Sequence, residues 1–588
     1  MYVKRHSVRR GEKRYVYLRL VEAYRDQHGK VRHRVLKTLG REDQLKASGQ
    51  LDQLAASFAR LDPPPVGTHR QVGGLLLVAH YLHRLGLVGL VDAAAPMRGR
   101  SQLTHGEVVA ALVANRLSAP SPLYDVAGWA SGAALGELFG IPAMLLNDDR
   151  LGRALEALSP VAEHVRGQLA LAAAARGGVD LSRLHLDLTA VRFTGAYENS
   201  AVVAKGWAAD RSIARQVRTL QACTPNGVAV YFRPHPGSRS ELPSFTDALQ
   251  RLQTLAPPGL VVVADSGLGY LAPLCAAHRA GLRFVVPLRA DTGWAAAFTA
   301  DVGTLDRLTD LEHCSQREQR LPPDKRTRWR GLARPYPVTD PATKASHDLR
   351  VAYIWSSEQA TSVAAARTRA LHAAEAALGR IRNGLGGRYY KTQKQVEAKL
   401  AKILGKNTAG LLHATAGTAA GKPTLTWHRD QQAITTTARL DGLYALATNL
   451  PDPDDRPLTA LDVLRVYKDQ WIVEQRHRDL KQTLRVRPVF LHNDDRITAL
   501  VAVIGIALLV FGLIEADLRR TLGPDGKLPG LLGDSPPTKP TGRSILTAFA
   551  DLHLTYTTTG PVLDRLTPTQ RTILAHLDIP LPWPEKIN

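Results

Sequence analysis

Residues 184–189 read Leu-His-Leu-Asp-Leu-Thr and residues 259–267 read Gly-Leu-Val-Val-Val-Ala-Asp-Ser-Gly, and these two stretches decide the fold class. In the first, side chains alternate across a strand, so Leu184, Leu186 and Leu188 share one face while His185, Asp187 and Thr189 share the other. A carboxylate on such a strand is costly unless a cation or hydrogen-bond donors meet it. In the second, Val261 to Ala264 is apolar on both faces, as in a central strand of a sheet. Asp265 ends that run and a glycine turn follows, at the crevice position where open α/β sheets carry ligands. An aspartate capping a helix N-terminus fits the same pattern.

Working outward, RQVRTLQACTP (215–225) and GVAVYFRPHP (227–236) read as strands, ELPSFTDALQRLQTLA (241–256) as a helix and LRFVVPL (282–288) as another strand, with a helix around 270–280 before it. Several strands before the first helix indicate an α/β layer arrangement without strict βαβ alternation. Residues 305–440 interrupt the pattern with a basic loop, two helical runs and strand-like LTWHRDQQAITTT (425–437). In that loop Arg326, Arg328 and Arg330 surround Trp329, which suits a nucleic-acid strand and equally a solvated loop. Strand character returns at GLYALATN (442–449), and residues 459–484 read as one long helix. Tyr467, Gln470, Trp471, Glu474, Arg478 and Lys481 then share one helix face, readable as a site or as a row of ion pairs.

Bulk properties narrow the function. The 588 residues exceed one compact core and suggest three to five structural units. The net charge of +23 favours polyanions, nucleic acid above all, with anionic membrane surfaces as the rival. Residues 1–45 hold thirteen Lys and Arg against five acids. There YVYLRLVEAY (15–24) and VRHRVLKTLG (31–40) form an expected β-hairpin turning at His28-Gly29, with Lys30, Arg32 and Arg34 on one face; DNA contact and a solvated edge both fit. Residues 70–176 read as helices, one started by the Thr104/Glu107 capping box. Three scattered cysteines exclude a disulfide scaffold and a zinc finger, and fit a reducing cytoplasm. The uncharged stretch 497–514 reads as a buried core helix and not a membrane span.

Together these residues resemble the DDE transposases of bacterial insertion sequences, in the insertion sequence 4 clan and its insertion sequence 1634 branch. The resemblance rests on VANRLSAPSPLYDVAGWA (113–130), NDDRLGRALEAL (147–158), LHLDLTAVRFTG (184–195), VVVADSGLGY (261–270) and RVRPVFLHNDDRITALVAVIGIALLV (485–510). The clan separates Tyr, Arg, Glu and Lys by two, three and six residues; here those positions hold Tyr467, Gln470, Glu474 and Lys481, so Gln470 departs from the expected Arg.

The resemblance implies a ribonuclease H-like catalytic core with an insertion between the second Asp and the Glu, preceded by the basic β-hairpin and a helical domain. The expected segments are 1–50 (hairpin), 51–178 (helical), 179–304 (core, first part), 305–440 (insertion), 441–520 (core, second part) and 521–588 (linker and helical tail). It also implies that Asp187, Asp265 and Glu474 hold two Mg²⁺ ions, with Mn²⁺ able to substitute, since hard oxygen ligands select such cations and a pair of ions serves in-line phosphodiester displacement. Tyr467, Gln470, Arg478 and Lys481 are then expected at DNA phosphates. Partners would be double-stranded DNA of the terminal inverted repeats and target, and a second copy in a synaptic homodimer, in the bacterial cytoplasm at the nucleoid. A nuclease of the same fold that does not transpose, or a domesticated DNA-binding protein, are the competing readings. If the basic N-terminus grips DNA, deleting residues 1–45 flattens the dependence of DNA affinity on salt; an unchanged slope in the truncated protein contradicts this.

Overall fold

The computed structural model describes the chain except residues 1, 11–12, 26–30, 48–63, 98–101, 208–211, 256–258, 316–317, 406–407, 455, 485–490 and 587–588. Its backbone divides into two units, one of residues 1–70, 553–565 and 582–588, the other of residues 71–552 and 566–581. The smaller unit carries an antiparallel sheet of β1 (Tyr2–Arg10), β2 (Lys13–Arg25) and β3 (Val31–Arg41). The expected hairpin is therefore its second half, because the charged start of the chain supplies a third strand. Arg32 and Arg34 are exposed on β3, but so is every residue from 32 to 38, so no single basic face stands out. Arg34 bonds Glu22 across the strand pair at 2.7 Å. Lys30 and the His28-Gly29 turn lie outside the described residues. The short β4 (His69–Gln71) joins strands His553–Thr557 and Gly560–Leu563 in a second small sheet.

In the larger unit the helices Leu75–Leu85, His105–Ser118, Asp148–Leu158 and Ala162–Gly177 do not stand alone. They pack around the helix Asp494–Leu522. The Thr104/Glu107 capping box is present as expected. The 494–522 helix is long and apolar enough to cross a membrane, yet 94% of its apolar window is buried inside the protein. A helix apolar on every side needs neighbours on every side, which these helices and the sheet supply. Gly505 and Gly512, two turns apart, let it press onto the sheet: a Cβ would meet Phe232 at 2.6 Å and the Gly227 carbonyl at 2.7 Å.

The sheet has ten strands. Its centre comprises β5 (Arg183–Arg192), β6 (Ala204–Trp207), β7 (Ile213–Cys223), β8 (Ala229–Pro236), β9 (Val261–Ala264) and β10 (Arg283–Pro287). Strands β5, β9 and β10 run parallel, while β7 is antiparallel to β5 and β8 to β7. It continues through β11 (Thr309–Asp310), β12 (Trp329–Thr339) and β13 (Ser346–Ser356), in the order β11-β12-β13 and onward to the strand Leu443–Thr448. The expected break at residue 305 is thus misplaced, for residues 309–356 extend the central sheet. Pro335 and Pro337 concealed β12 in the sequence; β11 reaches only Arg330 and Gly331, so both prolines occupy an open edge, where a missing N–H costs no ladder bond.

The segment after β13 has a core of its own, formed by helices Ser357–Asn383 and Gln393–Ile403, strands β14 (Leu412–Ala419) and β15 (Lys422–Arg429), and helix Gln431–Ala438. The strand expected over 425–437 ends at Arg429, because the Asp430 side chain accepts from the Ala433 amide and starts a helix. Strand β16 (Leu443–Thr448) then returns between β13 and β10.

A buried ion cluster fastens the long helix to the segment after β16. Arg476, 2% exposed, donates to the Gly227 carbonyl (2.6 Å) and Asp479 (2.8 Å) and pairs with Glu515 at 3.0 Å. Glu515 also pairs with Arg519 at 2.6 Å and accepts from the Gly542 amide at 2.8 Å. Removing one partner strands a buried charge. Glu515→Ala is therefore expected to lower stability by about 3–5 kcal/mol, read by chemical denaturation; an unshifted midpoint contradicts the cluster's role.

Candidate active site

The parallel register of β5 and β9 sets Leu186 opposite Ala264. The next residue is Asp187 on β5 and Asp265 just past the end of β9, so the register brings the two aspartates side by side, with the strands about 4.8 Å apart. Asp187 accepts from the Leu188 amide at 2.8 Å, and His477 Nδ1 lies 3.2 Å from its other oxygen. Asp265 accepts from the Gly267 amide at 2.9 Å and caps the short turn Ser266–Leu268, so the capping reading also holds. Capping alone would depress its pKa. Burial and the neighbouring charge of Asp187 instead raise it to about 6, against an ordinary 3.8, with Glu241 adding to the effect and Arg218 opposing it.

The helix expected over 459–484 is broken. Ala460–Lys468 ends at Asp469 and Gln470, Trp471–Arg478 comes next, and Asp479–Thr483 widens into a π-turn. Gln470 makes the break useful. Its amide nitrogen donates to the Leu186 carbonyl at 2.8 Å, and its oxygen accepts from His185 Nδ1 at 3.2 Å. Buried His185 is held neutral, pulled down to about 4 by burial and by Arg183. Gln470 is 8% exposed with both amide ends engaged, so it latches this segment to β5; the expectation that it contacts a phosphate is corrected.

The Trp471–Arg478 helix packs on β5 and β7 and carries Glu474, which is exposed. Its place is read from Tyr467, whose hydroxyl is pushed up to about 12 by burial and then by the charges of Asp265, Glu474 and Asp187, in that order. The charges of all three expected carboxylates thus bear on one phenol. They do not form one tight cluster. Among the described residues, the triple of ligand-type side chains whose donor atoms all lie within 4.8 Å of one another is Cys275, Asp340 and His347, where Asp340 is paired with Arg279.

Lys481 donates to Thr189 Oγ1 at 2.6 Å, two residues along the strand from Asp187. Arg478 is exposed and donates to Gln475 at 2.9 Å. The sequence reading missed His477, which lies off the Tyr467–Lys481 stripe; its spacing of three from Glu474 was the available signal. It also missed Glu241, whose oxygen and that of Asp265 both come within 2.9 Å of a Cβ placed on Gly267, and which Arg218 binds at 2.9 Å.

Two family models identify the chain as a whole. A model described as the transposase DDE domain matches residues 182–510, more than half of the chain, and the N-terminal domain of IS1634 family transposases matches residues 3–64. The chain is a DDE transposase of the IS1634 family. A domain of unknown function matches residues 68–165 of the transposase, and no curated protein matches it. The DDE domain implies a ribonuclease H-like α/β fold, consistent with the large mixed sheet.

Within the transposase, the basic loop around Trp329 does not behave as expected. Trp329 is 7% exposed, packed in the core against β16 and the Ala460–Lys468 helix, with Lys468 over its ring at 4.2 Å. It offers no stacking face to a base. Arg326 donates to the carbonyls of Leu321 and Gln319, and Arg330 to Asp310. Of that set Arg328 alone is exposed.

DDE domains use divalent metal ions. The residues fit one: an oxygen-only donor set with a carboxylate already biased toward its protonated form is a place where added positive charge lowers the free energy. Because the folded-state pKa of Asp265 lies above the unfolded 3.8, the metal-free protein loses stability as pH rises from about 4 to about 6, where the folded state surrenders that proton. Asp265→Asn retains the cap and removes the charge. In EDTA at neutral pH it is expected to melt above the wild type; a lower melting temperature contradicts the strained carboxylate.

Proposed function

We propose that this transposase cuts DNA at the ends of an insertion sequence and joins the freed 3′-hydroxyls to target DNA, with Asp187, Asp265 and Glu474 as its metal ligands. The observation that carries the reading is the β5–β9 register, which sets Asp187 beside Asp265, with the helix bearing Glu474 packed against β5. Two Mg²⁺ ions, when bound, would supply an activated water or 3′-hydroxyl and stabilise the leaving oxygen.

The chain's own residues provide the rest. Asp187 and Asp265 are preset by strand register, and His477 restrains the Asp187 carboxylate from behind. Lys481, steered by Thr189, offers a cation for a DNA phosphate beside the carboxylates, and the Tyr467 hydroxyl stays protonated and able to donate. Arg478, exposed on the same segment, is suited to a more distant phosphate. Gln470 holds the segment in place where the family's Arg would stand.

The lobe between β13 and β16 is the stretch we assign as the insertion proper. Residues 357–442 hold thirteen Lys and Arg against five acids, which suits the backbone of element-end DNA. The N-terminal sheet, with Arg32 exposed on β3, is assigned a second DNA contact. A homodimer on paired element ends completes the assignment.

The test is cleavage of DNA carrying native element ends, with Mg²⁺ and with EDTA. Glu474→Gln preserves volume and removes the charge, so it is expected to bind such DNA normally while losing strand cleavage by orders of magnitude. Asp469→Asn is the control and should cleave normally. Asp479, equally near in sequence, is unsuitable because it is buried against Arg476. Normal cleavage by Glu474→Gln overturns the assignment, and cleavage without joining in the wild type favours a nuclease.

A further inference from the structure

The helix His105–Ser118 buries every residue from Val108 to Leu117, and one of them is Arg116, 6% exposed. A guanidinium so deep ordinarily has a carboxylate. Arg116 forms no hydrogen bond or ion pair among the described residues, and its Nε is buried without a partner. Burial pulls it down to about 10, and no acid acts on it in return. The helix C-terminus it occupies offers a partial negative charge, which is less than the full anion such burial calls for.

Arg116 lines a cavity of about 640 Å³, within the usual range of roughly 300–1,000 Å³ for small-ligand sites. Ser118, Ser121, Asp125, Gln482, Thr483 and Arg543 line it too, so the two arginines face one carboxylate there. The wall is built. Asn115 donates to Ser121 Oγ (2.9 Å) and to the Ala119 carbonyl (3.0 Å), and accepts from the Ser121 amide (3.2 Å), which fixes the turn after Arg116. Gln482 and Thr483 immediately follow Lys481 on the π-turn, and Arg543 is an exposed second cation.

We propose that this cavity is a phosphate-binding site in which Arg116 and Arg543 pair with the anion and the Gln482-Thr483 turn and the serines supply donors. Two sources carry that chemistry, a backbone phosphate of bound DNA and a free phosphorylated molecule. The site gives a role to the segment matched by the domain of unknown function, at the end of the turn that bears Lys481. In its DNA form it rests on the transposase reading; as a phosphate site it does not.

The full chain is melted in increasing inorganic phosphate, with ionic strength held constant by chloride. The wild type is expected to rise in melting temperature. Arg116→Met, which removes an unpaired buried charge, should begin higher and lose the rise; Arg543→Gln, at an exposed position that leaves the fold intact, should weaken it. DNA binding of the same variants against salt separates the sources. A slope shallower by about one contact, or about 0.9, in Arg116→Met assigns a DNA phosphate, and an unchanged slope with the rise lost assigns a free phosphorylated molecule. No rise in the wild type, or a full rise in both variants, overturns the site. Cleavage by Glu474→Gln is independent of these melts, so failure here is distinguishable from failure of the transposase reading.

Discussion

The pairing of Leu186 with Ala264 is the constraint on which the rest depends. It brings Asp187, mid-strand on β5, beside Asp265 at the end of β9, where burial and then the charge of Asp187 raise the Asp265 carboxyl to about 6. A sheet tolerates this because its ladder bonds and apolar faces are satisfied elsewhere along the strands. Around the pair, polar side chains are committed to holding position: Gln470 to β5, His477 to Asp187, Arg476 to Glu515 and Asp479. The third carboxylate, 209 residues beyond the second, is carried on a segment pinned at both ends by these contacts.

The 494–522 helix supplies the foundation under that segment. Its glycines allow contact with β8, its apolar surface collects the helices of residues 75–177, and its Glu515 receives Arg476. The helical region matched by a domain of unknown function is thus one wall of the catalytic unit and not a separate module. A single buried helix joins the site, the sheet and that wall.

The strands bearing Asp187 and Asp265 were legible in the sequence because a period of two and a doubly apolar run each have one simple structural reading. The 497–514 stretch was legible for the same reason: length and uniform hydrophobicity, with charges crowding both ends. The segment bearing Glu474 was legible as a helical face but not as a broken helix, since the break is imposed by Gln470 bonding a strand 284 residues away. Trp329 among arginines looked like a surface patch; its burial comes from the pairing of β12 with β13, which two prolines concealed. Asp479 is paired with buried Arg476, which Glu515 on the long helix binds as well, a link made only through tertiary packing. In each case local pattern gave way to a contact between residues that the sequence alone does not bring together.

The most direct measurement is the position of Mn²⁺ in crystals of the protein soaked with that ion, located by its anomalous scattering. Density is expected between the carboxylates of Asp187, Asp265 and Glu474, beside the Tyr467 hydroxyl. Density confined to Cys275, Asp340 and His347, or ions bound by the two aspartates with Glu474 turned away, would contradict it.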